Sequence, residues 1–281
     1  MRKTIICAVS ALAVVAVGCK SVSEEQKVSD YEAKVEALME SYQTKTDAIV
    51  NDSTLTDEAR RASLESLYNE TLEEYLSDAK SVIKKNPSSP VALVALKEVY
   101  SSLEDAELEE FIGMIKGDVA DTSAFIASLK EALASKKATA EGQMFTDFTV
   151  VQDPDNVETS TVKFSDYVGN GKYVLVDFWA SWCGPCKREI PNIAAVYDKY
   201  KGDDFDVLSV AVWDKPEDTK KAAAEHGVVW NQIINAQKIP TDIYGIEGIP
   251  HIMLVGPDGT IVKRDLRGEN IEKAVAEALG R

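Results

Sequence analysis

The sequence predicts an α/β half, a mixed sheet covered by helices on both sides, preceded by an all-α half. Three observations lead there. From residue 30 to about 137, apolar residues recur with helical spacing and no strand pattern interrupts them. From about Gly142 onward, short β-branched runs alternate with helical patterns, closing in two apolar runs around Gly256-Pro257-Asp258-Gly259, a hairpin signal. Between these lies residues 173–179, apolar except for Asp177, as a central strand buried on both faces requires. It runs into Cys183-Gly184-Pro185-Cys186 at the start of a helical pattern.

The 281 residues, 45% hydrophobic, suffice for two ordinary domains. A net charge of −16 argues against nucleic acid or an anionic membrane surface as partner, because an acidic field repels both. Met1-Arg2-Lys3 followed by an apolar run over residues 5–17 is built like an export signal. It ends in Ala16-Val17-Gly18-Cys19, which resembles the lipobox of bacterial lipoproteins. That resemblance implies a signal peptide over residues 1–18, an acylated Cys19 and loss of Cys7, which leaves Cys183 and Cys186 as the free thiols. Residues 19–29 then form a polar tether.

The helical domain is expected over residues 30–138. Its first helix, residues 30–50, carries Tyr31, Val35, Leu38, Tyr42 and Ile49 on one stripe and stops at Asn51-Asp52-Ser53. A second runs from a Thr54 or Thr56 cap to about Lys85, and Asn86-Pro87 ends it. Ser89-Pro90 reads as N-cap and first residue of a third over 91–100. Two more are expected at 105–116, closed by Gly117, and at 122–137. Lys20 to Glu141 holds 14 basic and 25 acidic residues and no catalytic cluster. The pairs Glu73-Glu74 and Glu109-Glu110 point about 100° apart on a helix and have no histidine beside them, so no metal is expected. Spacing, dimerisation or substrate docking remain for this half.

After a linker at 138–142, the second domain, residues 142–281, is expected to begin with strands at 147–151 and 161–164 around the Asp153-Pro154-Asp155-Asn156 turn. The central strand and the cysteine helix at 185–200 follow. A strand at 205–212, a helix at 217–226, a segment opening at Trp230, the hairpin and a last helix at 271–279 complete it.

Cys183 falls at a helix N-terminus, where unpaired N–H groups and the helix dipole favour a thiolate; this makes it the nucleophile of disulfide exchange. Cys186, three residues on, is within reach as the resolving thiol. Zinc is the competing use of Cys-x-x-Cys, but a structural site normally wants four ligands, and only two distant histidines are on offer. No cofactor beyond the Cys183-Cys186 dithiol is expected. Trp182 should offer substrate a flat apolar contact, and Trp179 should pack in the core.

These residues carry a resemblance. VDFWA before WCGPCK is similar to the thioredoxin active site, and Arg188-Glu189-Ile190-Pro191 resembles the TlpA/ResA branch of extracytoplasmic thioredoxin-like proteins. Gly248-Ile249-Pro250 is similar to the cis-proline loop of thioredoxins. Residues 86–92 resemble a helical segment that precedes the redox domain in Bacteroidetes thioredoxin-like lipoproteins. The resemblance implies a thioredoxin-like sheet and a cis Pro250 facing the cysteines. Substrate then docks among Trp182, Gly184, Pro185, Ile249, Pro250 and His251. Asp177 matches the buried aspartate that shuttles a proton to and from the resolving cysteine; burial should raise its pKa. Glu189 is open to two readings, a tuner of the thiols or a surface glutamate. His251, where thioredoxins carry Thr, is either a substrate or thiolate contact or a neutral loop histidine.

The leading expectation is a membrane-tethered thiol:disulfide oxidoreductase of the cell envelope, periplasm-facing or an outer-membrane lipoprotein. The Gly184-Pro185 pair, by family likeness, makes it mainly a reductant. Its partners would be exported proteins with disulfides and a membrane dithiol electron donor, since the envelope has no glutathione pool. A thiol peroxidase is one alternative, though Ser181-Trp182-Cys183 lacks the Thr-x-x-Cys pattern of peroxiredoxins. A binding module with an accessory redox domain is the other.

Overall fold

The computed structural model describes residues 22–281, so the expected signal peptide and the Cys7 and Cys19 assignments lie outside the described residues. The chain divides into two compact units, one ending at Ser123, the other Ala124–Arg281.

The first unit is helical. Helix α1, Glu24–Asn51, starts before residue 30: Ser23 caps it by accepting from Gln26 N at 3.2 Å, and Glu24 and Glu25 fill the positive first turn. The expected tether is therefore helical from Glu24 onward. Thr56 caps α2, Asp57–Lys85, and the Arg60 guanidinium takes up carbonyls left open at the end of α1, among them Asp52 O at 3.1 Å. Ser89 and Pro90 open α3, Pro90–Val99, as their spacing predicts. This helix buries Val91, Ala92, Ala95, Leu96 and Val99 and is the core of the unit. Helices α4, Asp105–Met114, and α5, Asp118–Asp121, close it.

The second unit opens with α6, Ala124–Ala138, then β1, Thr149–Val151, α7, Val157–Ser160, and β2, Thr161–Lys163. It continues with β3, Tyr173–Trp179, α8, Gly184–Tyr200, β4, Phe205–Ala211, α9, Pro216–Glu225, and β5, Asn231–Ile233. The last elements are α10, Ile239–Tyr244, β6, His251–Val255, β7, Ile261–Lys263, and α11, Glu269–Leu279. Five strands lie in the order β5-β4-β3-β6-β7, with β4 and β5 parallel to the centre and β6 and β7 forming the late antiparallel hairpin. This is the thioredoxin-like mixed sheet that the sequence leads one to expect. Strands β1 and β2 form a separate pair.

Strand alternation sorts the core. Leu175 and Trp179 pack with α8, α9 and α11 on one face, while Val174, Val176 and Phe178 pack with β1, β2 and Tyr244 of α10 on the other. Burial on both faces explains the near-continuous apolar run of β3.

The division of the chain differs from the expected one. Helix α6 belongs to the sheet-containing unit rather than to a helical domain ending at 138, because it packs on α10. Gly245, which ends α10 at φ 61°, sets the approach: a Cβ there would lie 2.7 Å from Ala132 O and 2.9 Å from Lys136 N. Arg264 fastens the same place, donating to Thr139 O at 2.8 Å and Tyr244 O at 2.7 Å, the carbonyl ends of both helices. Neither α10 nor α5 is anticipated from sequence, both being too short for a periodic signal.

Gly245→Ala is expected to lower stability by about 2 kcal/mol, from the left-handed backbone alone, plus the cost of displacing α6. Denaturant unfolding of the full chain measures it. A fragment starting at residue 142, without α6, is expected to melt well below one starting at Ala124.

Candidate active site

The site lies at the carboxyl end of β3, where the chain turns into α8. Cys183 is the N-cap of α8 and Pro185 stands in its first turn. The Cys183 and Cys186 sulfurs are bonded at 2.00 Å, with Cα atoms 5.3 Å apart. Cys183 Sγ accepts from Cys186 N at 3.1 Å, the helix-end donor that stabilises a thiolate once the bond is reduced. Both cysteines are buried within the cluster beneath α8.

Trp182, immediately before, is 59% exposed, and its indole N–H donates to Trp213 O at 3.0 Å. Across from it, the Ile249–Pro250 bond is cis, and Cys183 Sγ touches Ile249 O at 3.7 Å. With the disulfide closed no thiol hydrogen is present, so this is a contact rather than a hydrogen bond. Gly184 and Pro185 lie between the cysteines at the mouth of the helix.

Asp177 shares the face of β3 that carries Leu175 and Trp179, so it points toward the cysteine helix. It is 2% exposed; Ser209 of β4, its register partner, donates to Oδ2 at 3.3 Å, and Ser209 in turn accepts from Trp230 Nε1 at 2.9 Å. The other oxygen, Oδ1, makes no hydrogen bond among the described residues. Burial pushes this carboxyl up to about 7, against the pull of the Ser209 hydroxyl and the Arg267 guanidinium; Glu189 adds a smaller push upward.

Glu189 is not idle surface. Its Oε2 accepts from Gly268 N at 3.1 Å and from Asn192 at 2.8 Å, tying α8 to the turn before α11. His251, by contrast, faces away from the cysteines. It lies on the Phe178 side of the sheet, ring centroids 6.1 Å apart, with Nε2 3.3 Å from Arg264 Nη2 and Nδ1 3.6 Å from Asp265. Burial and the Arg264 charge push its pKa down to about 4, so it is neutral at pH 7. The geometry places His251 in a support of the cis-proline strand, away from the reacting sulfurs.

Two groups escaped the sequence reading. Asp214 accepts from Ser181 N at 2.7 Å, Ser181 Oγ at 2.9 Å and Thr219 Oγ1 at 2.8 Å, pinning the segment that presents Trp182 and Cys183. Its position just beyond the carboxyl end of β4, beside the central strand, was the available signal. Arg267 donates to Pro250 O and pairs with Asp265 at 2.8 Å; nothing in its local sequence marks it.

Residues 141–264 match the AhpC/TSA family. The chain is 28% identical over 130 residues to the thiol-disulfide oxidoreductase ResA of Bacillus subtilis, covering 46% of this chain and 69% of that protein. It is 29% identical over 128 residues to ResA of Geobacillus thermodenitrificans, covering 46% and 70%. Among solved structures, the thioredoxin domain of a thiol-disulfide oxidoreductase from Bacteroides vulgatus is 34% identical at TM-score 0.43, covering 49% of this chain and 96% of that one.

Asp177 makes stability depend on pH. Its carboxyl titrates near 3.8 when unfolded and about 7 when folded, so between those values the folded state holds the extra proton and loses stability as pH rises. Between pH 5 and pH 8 the loss is roughly 3 kcal/mol. Urea unfolding of the oxidised protein is expected to show it, and Asp177→Asn to remove it.

Proposed function

We propose that this chain, a thiol-disulfide oxidoreductase of thioredoxin fold whose residues 141–264 match the AhpC/TSA family, serves mainly as a reductase of exported proteins, held at the membrane by a lipid on Cys19. The observation that carries the chemistry is Cys183 at the N-terminus of α8 with Asp177 buried on the same face of the sheet. In the dithiol state, the Cys183 thiolate attacks one sulfur of a substrate disulfide. A mixed disulfide forms, the substrate S–S bond breaks, and the leaving thiolate takes a proton. Cys186 then gives up its proton toward Asp177, by way of water, and attacks Cys183 Sγ, which releases the second substrate thiol and leaves the Cys183–Cys186 disulfide. Two electrons have passed to the substrate. Two more, with two protons, must come from a membrane dithiol carrier before the next cycle.

Trp182, Gly184, Pro185, Ile249 and Pro250 would frame the docking polypeptide: Trp182 is exposed beside Cys183, Gly184 and Pro185 stand between the cysteines, and Ile249 O touches Cys183 Sγ. Anchorage and export rest on the likeness of residues 16–19 to a lipobox. No described helix is long and apolar enough to cross a membrane. No cluster of three or more His, Cys, Asp or Glu stands together among the described residues.

Cys183→Ser is expected to abolish the protein's acceleration of insulin reduction by dithiothreitol, and Cys186→Ala to retain substrates as mixed disulfides in the native host. Undiminished turnover by Cys183→Ser would sink the assignment. The Gly184-Pro185 pair is expected to set a reduction potential nearer about −270 mV than about −120 mV. A value above roughly −180 mV would make the protein an oxidase or isomerase instead.

A further inference from the structure

Among the described residues the helical unit holds no cysteine or histidine, yet it carries a groove that its own helices leave open. Helix α1 spans 28 residues and fully buries only Tyr31; α2 spans 29 and fully buries Leu67, Ala79 and Ile83. The third helix reaches α2 as far as Tyr75, whose hydroxyl donates to Glu98 O at 3.0 Å. From there toward the α1–α2 turn, Leu67 alone is fully buried in α2. Two long helices paired this way ordinarily bury their apolar stripes against a third.

Along this seam lies a groove of 190 Å³ lined by Met39, Tyr42, Tyr68, Leu72 and Tyr75, with Thr71 and Ser102 at its sides. Met39 is 39% exposed and Tyr68 53%, so two large apolar side chains at one spot face solvent. Their surroundings are acidic. Glu36 and Glu40 flank Met39 on α1, Glu65 stands one turn before Tyr68 on α2, and the Glu98 carboxylate lies 3.1 Å from the Tyr75 hydroxyl. Residues 22–123 hold 10 basic and 23 acidic residues, a balance of −13.

We propose that this groove is a docking site for a cationic amphipathic helix of another protein, its apolar face lying on Met39 and Leu72 and its Lys or Arg side chains over the tyrosine rings. Tyrosine faces attract cations, and carboxylates at the rim add to that attraction. A helix is the fitting shape because a seam between two antiparallel helices accepts a third along its length. The helical unit of a second copy would bring another −13 to a rim that is already acidic, and an anionic bilayer would be repelled in the same way. The opposite side of the seam differs: there Lys34 pairs with Asp78 at 2.6 Å, and Lys45 lies among Glu70 and Glu74. Its charges are already mixed, which leaves the tyrosine side as the cation-selective one.

The test is anisotropy of a dye-labelled 18-residue Lys/Leu peptide with leucines at helical i, i+3, i+4 spacing, titrated with the full chain. Binding that weakens with salt is expected, and no binding by the same peptide with Glu in place of Lys. Tyr68→Ala and Met39→Ala, both at exposed positions, are each expected to weaken binding about tenfold, while Tyr68→Phe keeps it. Glu217→Gln, on the other unit, should change nothing. Unaltered binding by Tyr68→Ala and Met39→Ala would mean the peptide reads bulk negative charge only and would overturn the proposal. Self-association in sedimentation that the same two substitutions abolish would make a second copy the occupant and overturn it equally.

Discussion

The arrangement of the redox unit depends on burying β3 on both faces. With helices and strands covering both sides of the sheet, β3 is buried from Val174 through Trp179, and the chain leaving its carboxyl end turns into α8. Cys183 occupies that reversal as N-cap of α8. The same burial that secures the fold removes water from Asp177 and so raises its pKa to about 7. A carboxylate in that position weakens the fold above neutrality.

The walls of the site are held from outside it. Asp214 fixes Ser181 by two hydrogen bonds and accepts a third from Thr219, and Trp213, at φ 53°, turns its carbonyl to the Trp182 indole. Asn235 and Gln237, also at positive φ, brace that loop: the Gln237 amide donates to Asp214 O at 2.7 Å and to Asn235 Oδ1 at 2.9 Å. On the other wall, Arg267 holds the Pro250 carbonyl, and Arg264 joins His251 to the ends of α6 and α10. Non-glycine residues in the left-handed region are costly and persist where surrounding contacts fix them, commonly at functional sites. All four such residues among the described ones, Trp213, Asn235, Gln237 and Asp265, flank the two walls.

What could be read from sequence was what repeats or what is chemically unusual. The apolar stripes of α1 and α2, the Ser89-Pro90 cap, the buried run of β3 and the Gly-Pro-Asp-Gly hairpin each spread a signal over several residues. Cys183, Cys186 and Asp177 stand out because reactive or charged groups break an apolar pattern. What could not be read depends on partners far along the chain. Arg264 is an ordinary arginine until Thr139 and Tyr244 arrive beside it. Helix α6 has the same composition whether it closes a bundle or packs on α10, so its allegiance is set by Gly245, more than a hundred residues later. His251 looked equally suited to substrate or to a loop; only the strand register, which pairs it with Phe178 and leaves Ile252 opposite Asp177, turns it from the cysteines.

The register also divides the acid–base work. Cys183 is drawn toward its charged form by the N-terminal amides of α8, whereas Asp177 is drawn toward its neutral form by burial one layer below. In the proposed cycle, Asp177 with a pKa of about 7 is basic enough to receive the Cys186 proton and acidic enough to return it. Oδ1, which makes no hydrogen bond among the described residues, is the atom left to do so, since Oδ2 is held by Ser209. Trp230 reinforces that choice by donating to Ser209 Oγ, which orients the hydroxyl proton toward Oδ2 and leaves the other oxygen open.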